Sequence, residues 1–183
     1  MRRSFLIGAA LVLLGGCGGS PENRYYVLSP VPPVQLASPV RASFGIASVH
    51  LPGLLDRTQL VLRTGTGTVD IREFDRWAEP LDQMVPRILA QDLELRQGAP
   101  APTEPHRRVF VAIDEFMADT GGKARLAGRW WVLADDQDPA TKRERPFAFV
   151  STSTNTNGAE IATALSALLG MLADDIDGAR LDG

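Results

Sequence analysis

Few residues of this chain have the types and spacing that chemistry needs. His50 and His106 fall in separate segments without a ligand-spaced neighbour, so both read as solvated or edge residues rather than metal ligands. Asp135, Asp136 and Asp138 crowd three carboxylates into one short loop. A calcium loop would add a turn glycine and a closing glutamate; neither follows, and a solvated hairpin loop is expected instead. The run "TGTG", Thr64 to Gly67, has neither the Lys-Ser or Lys-Thr nor the following helix of a phosphate-cradling loop, so it reads as a turn. A serine nucleophile would want a G-x-S-x-G elbow, which is absent. Neither a catalytic set nor a metal site is expected, and the chain does not read as an enzyme.

The residue with a chemical assignment is Cys17, the single cysteine. Ahead of it Arg2 and Arg3 form a positive start, and the apolar run Phe5 to Leu14 follows. At about 1.5 Å per residue that run falls well short of a roughly 30 Å hydrocarbon core, so it suits a removed export signal better than a membrane span. Leu14-Gly15-Gly16-Cys17 resembles the bacterial lipobox, in which small residues before the cysteine admit a signal peptidase to a thiol already carrying diacylglycerol. Residues 1–16 are then a signal peptide, 17–23 a lipidated tether and 24–183 one domain. No intramolecular disulfide is possible with one thiol. A diacylglycerol and an N-acyl chain on Cys17, each buried methylene contributing about 0.8 kcal/mol, make a permanent anchor, and no other cofactor is expected. Gly18 stands where lipoproteins kept at the inner membrane commonly carry Asp. The expected location is the outer membrane, with the body facing the periplasm.

Composition agrees with a folded, exported body. The signal takes with it two of the 19 basic residues and none of the 22 acidic ones, leaving a net charge of about −5. That balance suggests no nucleic-acid partner. With 44% hydrophobic residues the chain has material for one core.

The elements that must position any site follow from hydrophobic period. "RYYVL", Arg24 to Leu28, and "ASFGIASVHL", Ala42 to Leu51, read as strands separated by a proline-rich connector, Ser29 to Val40. "QLVLR" and "TVDIREF" flank the Thr64–Gly67 turn as a hairpin. Leu81, Met84, Val85, Ile88 and Leu89 have helical spacing, with Pro80 in the first turn; Pro86 should kink the helix or delay its start to about Val85. After the linker Ala99 to His106 come three strands: Arg107 to Phe116, apolar on both faces, then Ala124 to Ala134 and Arg143 to Ser151 as antiparallel neighbours. Core positions are expected for both Trp130 and Trp131. Asn157 is placed to cap a last helix whose apolar stripe runs Ile161, Leu165, Leu168, Leu169, Leu172, Ile176. Asp174, Asp175 and Asp177 oppose that helix's dipole and are expected to be merely solvated. Strands, a helix, three strands and a helix imply a single α/β domain, a mixed sheet with two main helices.

Two stretches go beyond folding signals: "LPGLLDRTQLVLR", Leu51 to Arg63, and "EFDRWAEPLDQMVPRILAQDL", Glu73 to Leu93. With Cys17 and Tyr25 to Leu28 they resemble the auxiliary lipoproteins of MCE-type ABC transport systems, the PqiC family. Leu51 to Arg57 matches its Leu-Pro-x-x-Leu-Asp-Arg, and Arg76 to Leu81 its helix-opening Arg-Trp-Ala-Glu-Pro-Leu. Pro86 departs from the usual continuous helix. The resemblance implies a fold like anticodon-binding and TolB N-terminal domains. It also implies partnership with a periplasm-spanning MCE protein and an inner-membrane permease, in systems moving lipids or other hydrophobic molecules between membranes, and a homo-oligomer at the outer end. For Arg76, Trp77, Glu79 and Pro80 a structural role is expected; Leu51, Pro52, Leu55, Asp56 and Arg57 are the exposed candidates for partner contact. A generic envelope scaffold lipoprotein and a periplasmic lipid-binding carrier stay open as alternatives.

Overall fold

The computed structural model describes residues 21–33, 44–98, 107–134 and 142–179. Cys17, residues 1–16, His106 and Asp135, Asp136 and Asp138 lie outside them. In chain order the elements are β1 (Arg24–Tyr26), β2 (Gly45–His50), β3 (Gln59–Gly65), β4 (Thr68–Trp77), α1 (Leu81–Gln97), β5 (Arg107–Asp119), β6 (Lys123–Ala134), β7 (Arg145–Thr152) and α2 (Gly158–Gly178). The domain is the expected mixed sheet with two helices. Its strands run β1-β4-β3-β5-β6-β7, with β2 also on β5.

The pairing of β5 sets the architecture. Along one edge its first half pairs in parallel with β2, from Gly45↔Arg108 to His50↔Ala112, and its end pairs in parallel with β3 at Leu62↔Ala118 and Arg63↔Asp119. Residues 51–58, between β2 and β3, leave the sheet, and Gly53–Leu55 wind into one 3-10 turn. The other edge of β5 pairs antiparallel with β6, and β6 with β7, as the apolar patterns predict. Helices cover one face, where Val109, Val111 and Ile113 are buried. Phe110 and Ala112, between them, are only half-buried, so β5 is not covered by helices on both sides as its composition suggests. Trp130 is core at 3% exposure, but Trp131 is not. Being next in the strand it points to the other face, where it stacks on Phe110 at 5.6 Å beneath the Lys142 ammonium.

Pro86 neither delays α1 nor ends it. The helix begins at Leu81, with Pro80 just outside it at φ −57° and ψ 137°, and runs through Pro86 to the left-handed Gly98, whose N–H reaches Glu94 O. A proline in the sixth position removes only the bond to the Asp82 carbonyl, and the six apolar side chains on the helix's buried face outweigh that loss. Asn157 caps α2, its Oδ1 accepting from the Glu160 N–H at 2.9 Å, and the six residues of the stripe are all buried.

The chain before β2 is tied down across both helices. β1 stops at Tyr26 because the chain then leaves the sheet edge. The Leu28 N–H meets Met84 Sδ at 3.0 Å, the Ser29 N–H meets Ser166 Oγ at 3.1 Å, and the Val31 N–H meets Asp92 Oδ1 at 2.7 Å. Arg96, 5% exposed, sits beneath this arm. It donates to Val31 O, Asp92 O, Gly170 O and, at 2.6 Å, Asp174 Oδ1. Asp175 Oδ2 accepts from Trp130 Nε1 at 2.8 Å. Asp174 and Asp175 are therefore partnered, which offsets their unfavourable position on the dipole.

Candidate functional site

The three stretches singled out in the sequence meet at one end of the sheet. Tyr25 pairs in parallel with Arg76 and Tyr26 with Trp77, and the Ala78 N–H donates to Tyr26 O at 2.9 Å. On the other side Gln59 pairs with Arg76, and the Trp77 N–H donates to Thr58 O at 2.7 Å. β4 is thus clamped between the Tyr-Tyr strand and the Leu51–Arg57 loop just before it hands over to α1. Tyr26 Oη donates to Asp75 Oδ1 at 2.9 Å; burial and this bond lift the phenol above its usual pKa and keep it a donor.

Between loop 51–58 and the start of α1 lies a groove of about 460 Å³. Val49, Leu51, Leu55, Pro80 and Leu81 give it apolar walls, and Asp56, Arg57 and Asp82 stand at it as charged groups. Of the candidates for contact, Leu51, Pro52 and Arg57 are half-buried and Asp56 is exposed. Leu55 corrects the expectation of exposure: the 3-10 turn points it inward, and at 5% exposure it is part of the core. Arg57 does not pair with its neighbour Asp56; its Nε donates to Leu54 O at 2.8 Å, which braces the loop.

Of Arg76, Trp77, Glu79 and Pro80, expected to be structural, Pro80 lines the groove and the other three do not. Trp77 is 4% exposed and ends β4 rather than opening a helix. Arg76 folds back onto Glu73, through Nε to its carbonyl at 3.2 Å and Nη2 to its carboxylate at 3.5 Å. Glu79 pairs with Arg87 two turns along α1, and Pro80 starts the helix while lining the groove. Val49, His50, Thr58, Leu81 and Asp82 join the lining without having been expected as contact residues. The break between the strand ending in Val49-His50 and the strand starting after Thr58 was the available signal. Among the described residues no three His, Cys, Asp or Glu side chains converge as a metal site.

A groove with apolar walls and a charged rim, built from loops on a fixed sheet, has the form that can receive a segment of another molecule. The chain belongs to the family of ABC-type transport auxiliary lipoprotein components, which its residues 26–177 match. It is PqiC-like: over 174 residues it is 26% identical to the intermembrane transport lipoprotein PqiC of Escherichia coli (strain K12), covering 90% of each chain, and the same figures hold for PqiC of Shigella flexneri. Two crystal structures share the fold at a TM-score of 0.70. One, of an uncharacterized protein, is 20% identical and covers 86% of this chain and 98% of its own. The other, from Xanthomonas campestris, is 17% identical and covers 86% and 95%.

Proposed function

We propose that this protein is the outer-membrane subunit of an MCE-type ABC transport system. In this reading lipid on Cys17 holds it to the inner leaflet, and the groove beside Asp56 and Asp82 receives a segment of the periplasm-spanning MCE protein. Assembly with that protein, its inner-membrane permease and further copies of the lipoprotein keeps a conduit for lipids or other hydrophobic molecules in register with the membrane. The protein itself performs no reaction. The observation that supports this most is the groove between Leu51–Arg57 and Pro80–Asp82, where apolar walls and two acidic groups suit a segment with apolar side chains and a basic flank.

Affinity capture from solubilised membranes tests it. The native protein is expected to bring down an MCE protein and its permease, and the variant carrying Asp56→Arg with Arg57→Glu is expected to fold and lose both. Capture of a different envelope machine would instead favour a scaffold role. Lipid co-purifying with a Cys17→Ser form would favour a carrier. Mass measurement of the native chain should find residues 1–16 gone and acyl groups on Cys17.

A further inference from the structure

Among the described residues the two most exposed large apolar side chains are Tyr25 and Val27, 62% and 54% exposed. They alternate on the arm with Tyr26, bonded to Asp75, and Leu28, 3% exposed. The arm cannot rotate to hide them, because the bonds of Ser29 and Val31 to Ser166 and Asp92 fix its register on the helices. Beside the arm a shallow groove of about 520 Å³ runs along α2. Its helical wall includes Ala159, Thr163 and Ala167, and Met171, one turn further, is 39% exposed. Spaced by four, these residues make an uncharged stripe where a solvated helix face ordinarily carries charge.

What covers this face follows from where the chain goes. Seven residues separate Cys17 from Tyr25. Fully extended, the eight steps from Cys17 to Tyr25 reach at most about 29 Å, so an anchored Cys17 keeps Tyr25 close to the bilayer whatever path the tether takes. We propose that the Tyr25–Val27 face and the adjoining stripe of α2 seat on the phospholipid surface in which Cys17 is anchored; this rests on the lipoprotein reading above. Tyr25, an apolar ring with a polar tip, sits at headgroup level, and Val27 inserts beside it. Arg24 and Glu22 flank the pair with opposite charges, so the contact is apolar and only weakly sensitive to salt.

The test uses the lipidated full-length protein in vesicles of phosphatidylethanolamine and phosphatidylglycerol. Because acylation blocks Cys17, a nitroxide can be placed at Val27→Cys or, as a control on the sheet face away from the helices, at Val150→Cys, 42% exposed. Melting curves check that both variants fold. The label at 27 is expected to lose access to an aqueous nickel chelate and gain access to oxygen, while the label at 150 stays aqueous. Lipid found on Cys17 with an aqueous label at 27 overturns the membrane seat and leaves the lipoprotein reading standing; an unmodified Cys17 overturns both. A label at 27 already shielded in a lipid-free Cys17→Ser protein would mean that a second copy covers the face, which also overturns the proposal.

Discussion

The charges around Arg96 and those around the 460 Å³ groove do opposite work. Arg96 and Asp92 are buried, and their bonds to Val31, Gly170 and Asp174 join the arm, α1 and α2 to one another. Asp56 and Asp82 are exposed, and Arg57 turns its Nε to its own loop. Burial makes the first set expensive to disturb and unavailable to a partner. Exposure makes the second set nearly neutral to the fold and free to choose a partner. Stability and recognition are thus assigned to separate regions of one small domain.

Variants at the two regions should separate accordingly. The largest effect is expected for Arg96→Ala, which strands the Asp92 carboxylate in the interior and frees the arm; unfolding in denaturant should show a loss of about 3–5 kcal/mol. Next is the pH dependence of Asp92. Burial raises its carboxyl to about 6, and the nearby Asp174 adds to this, while the Val31 N–H and the Arg96 guanidinium pull it down. Below about pH 4 it is protonated in both folded and unfolded chains and costs nothing. Between about pH 4 and pH 6 the unfolded chain releases its proton while the fold resists, so stability falls as pH rises, by roughly 3 kcal/mol in all. Asp92→Asn should flatten that slope in urea titrations across this window; a slope that persists would place its origin elsewhere.

A third variant probes the join between the regions. A Cβ on Gly158 would overlap the ring of Tyr26, so Gly158→Ala must push α2 away from β1. The expected cost is about 1–3 kcal/mol, read as a lower melting temperature. The smallest effect on folding belongs to the groove: Asp56→Arg alone should change stability by less than about 0.5 kcal/mol while weakening partner capture. A large stability loss there would erase the distinction between the two regions.

How far the sequence could be read tracks how local each signal is. α2 was legible because its stripe and the Asn157 cap are short-range patterns, and the β6–β7 hairpin because two apolar runs flank a polar loop. The sharing of one β5 edge by β2 and β3 was not, since parallel partners far apart in the chain leave no local mark, and with it went Val49, His50 and Thr58 of the groove's lining. Pro86 was given too much weight because its local penalty is visible while the packing that offsets it is not. Nothing in the Asp92–Arg96 spacing of four distinguishes it in sequence from an ordinary surface pair; the arm laid across it makes it interior. Acids that look misplaced at the end of α2 find Arg96 and Trp130 through contacts no window of sequence spans. Of the groove, its Leu51–Arg57 wall was legible from the resemblance, except that Leu55 turns inward.

The strap formed by residues 28–31 imposes an order on assembly. Its partners include Ser166, 137 residues downstream of Ser29, and Arg96 beneath it is completed by Gly170 and Asp174. The first folded stretch to be made therefore waits for nearly the last one before it can close. A chain cut short before its final helix would have a strap but nothing firm for it to close on, so proteases are given an unfinished molecule and denied a finished one.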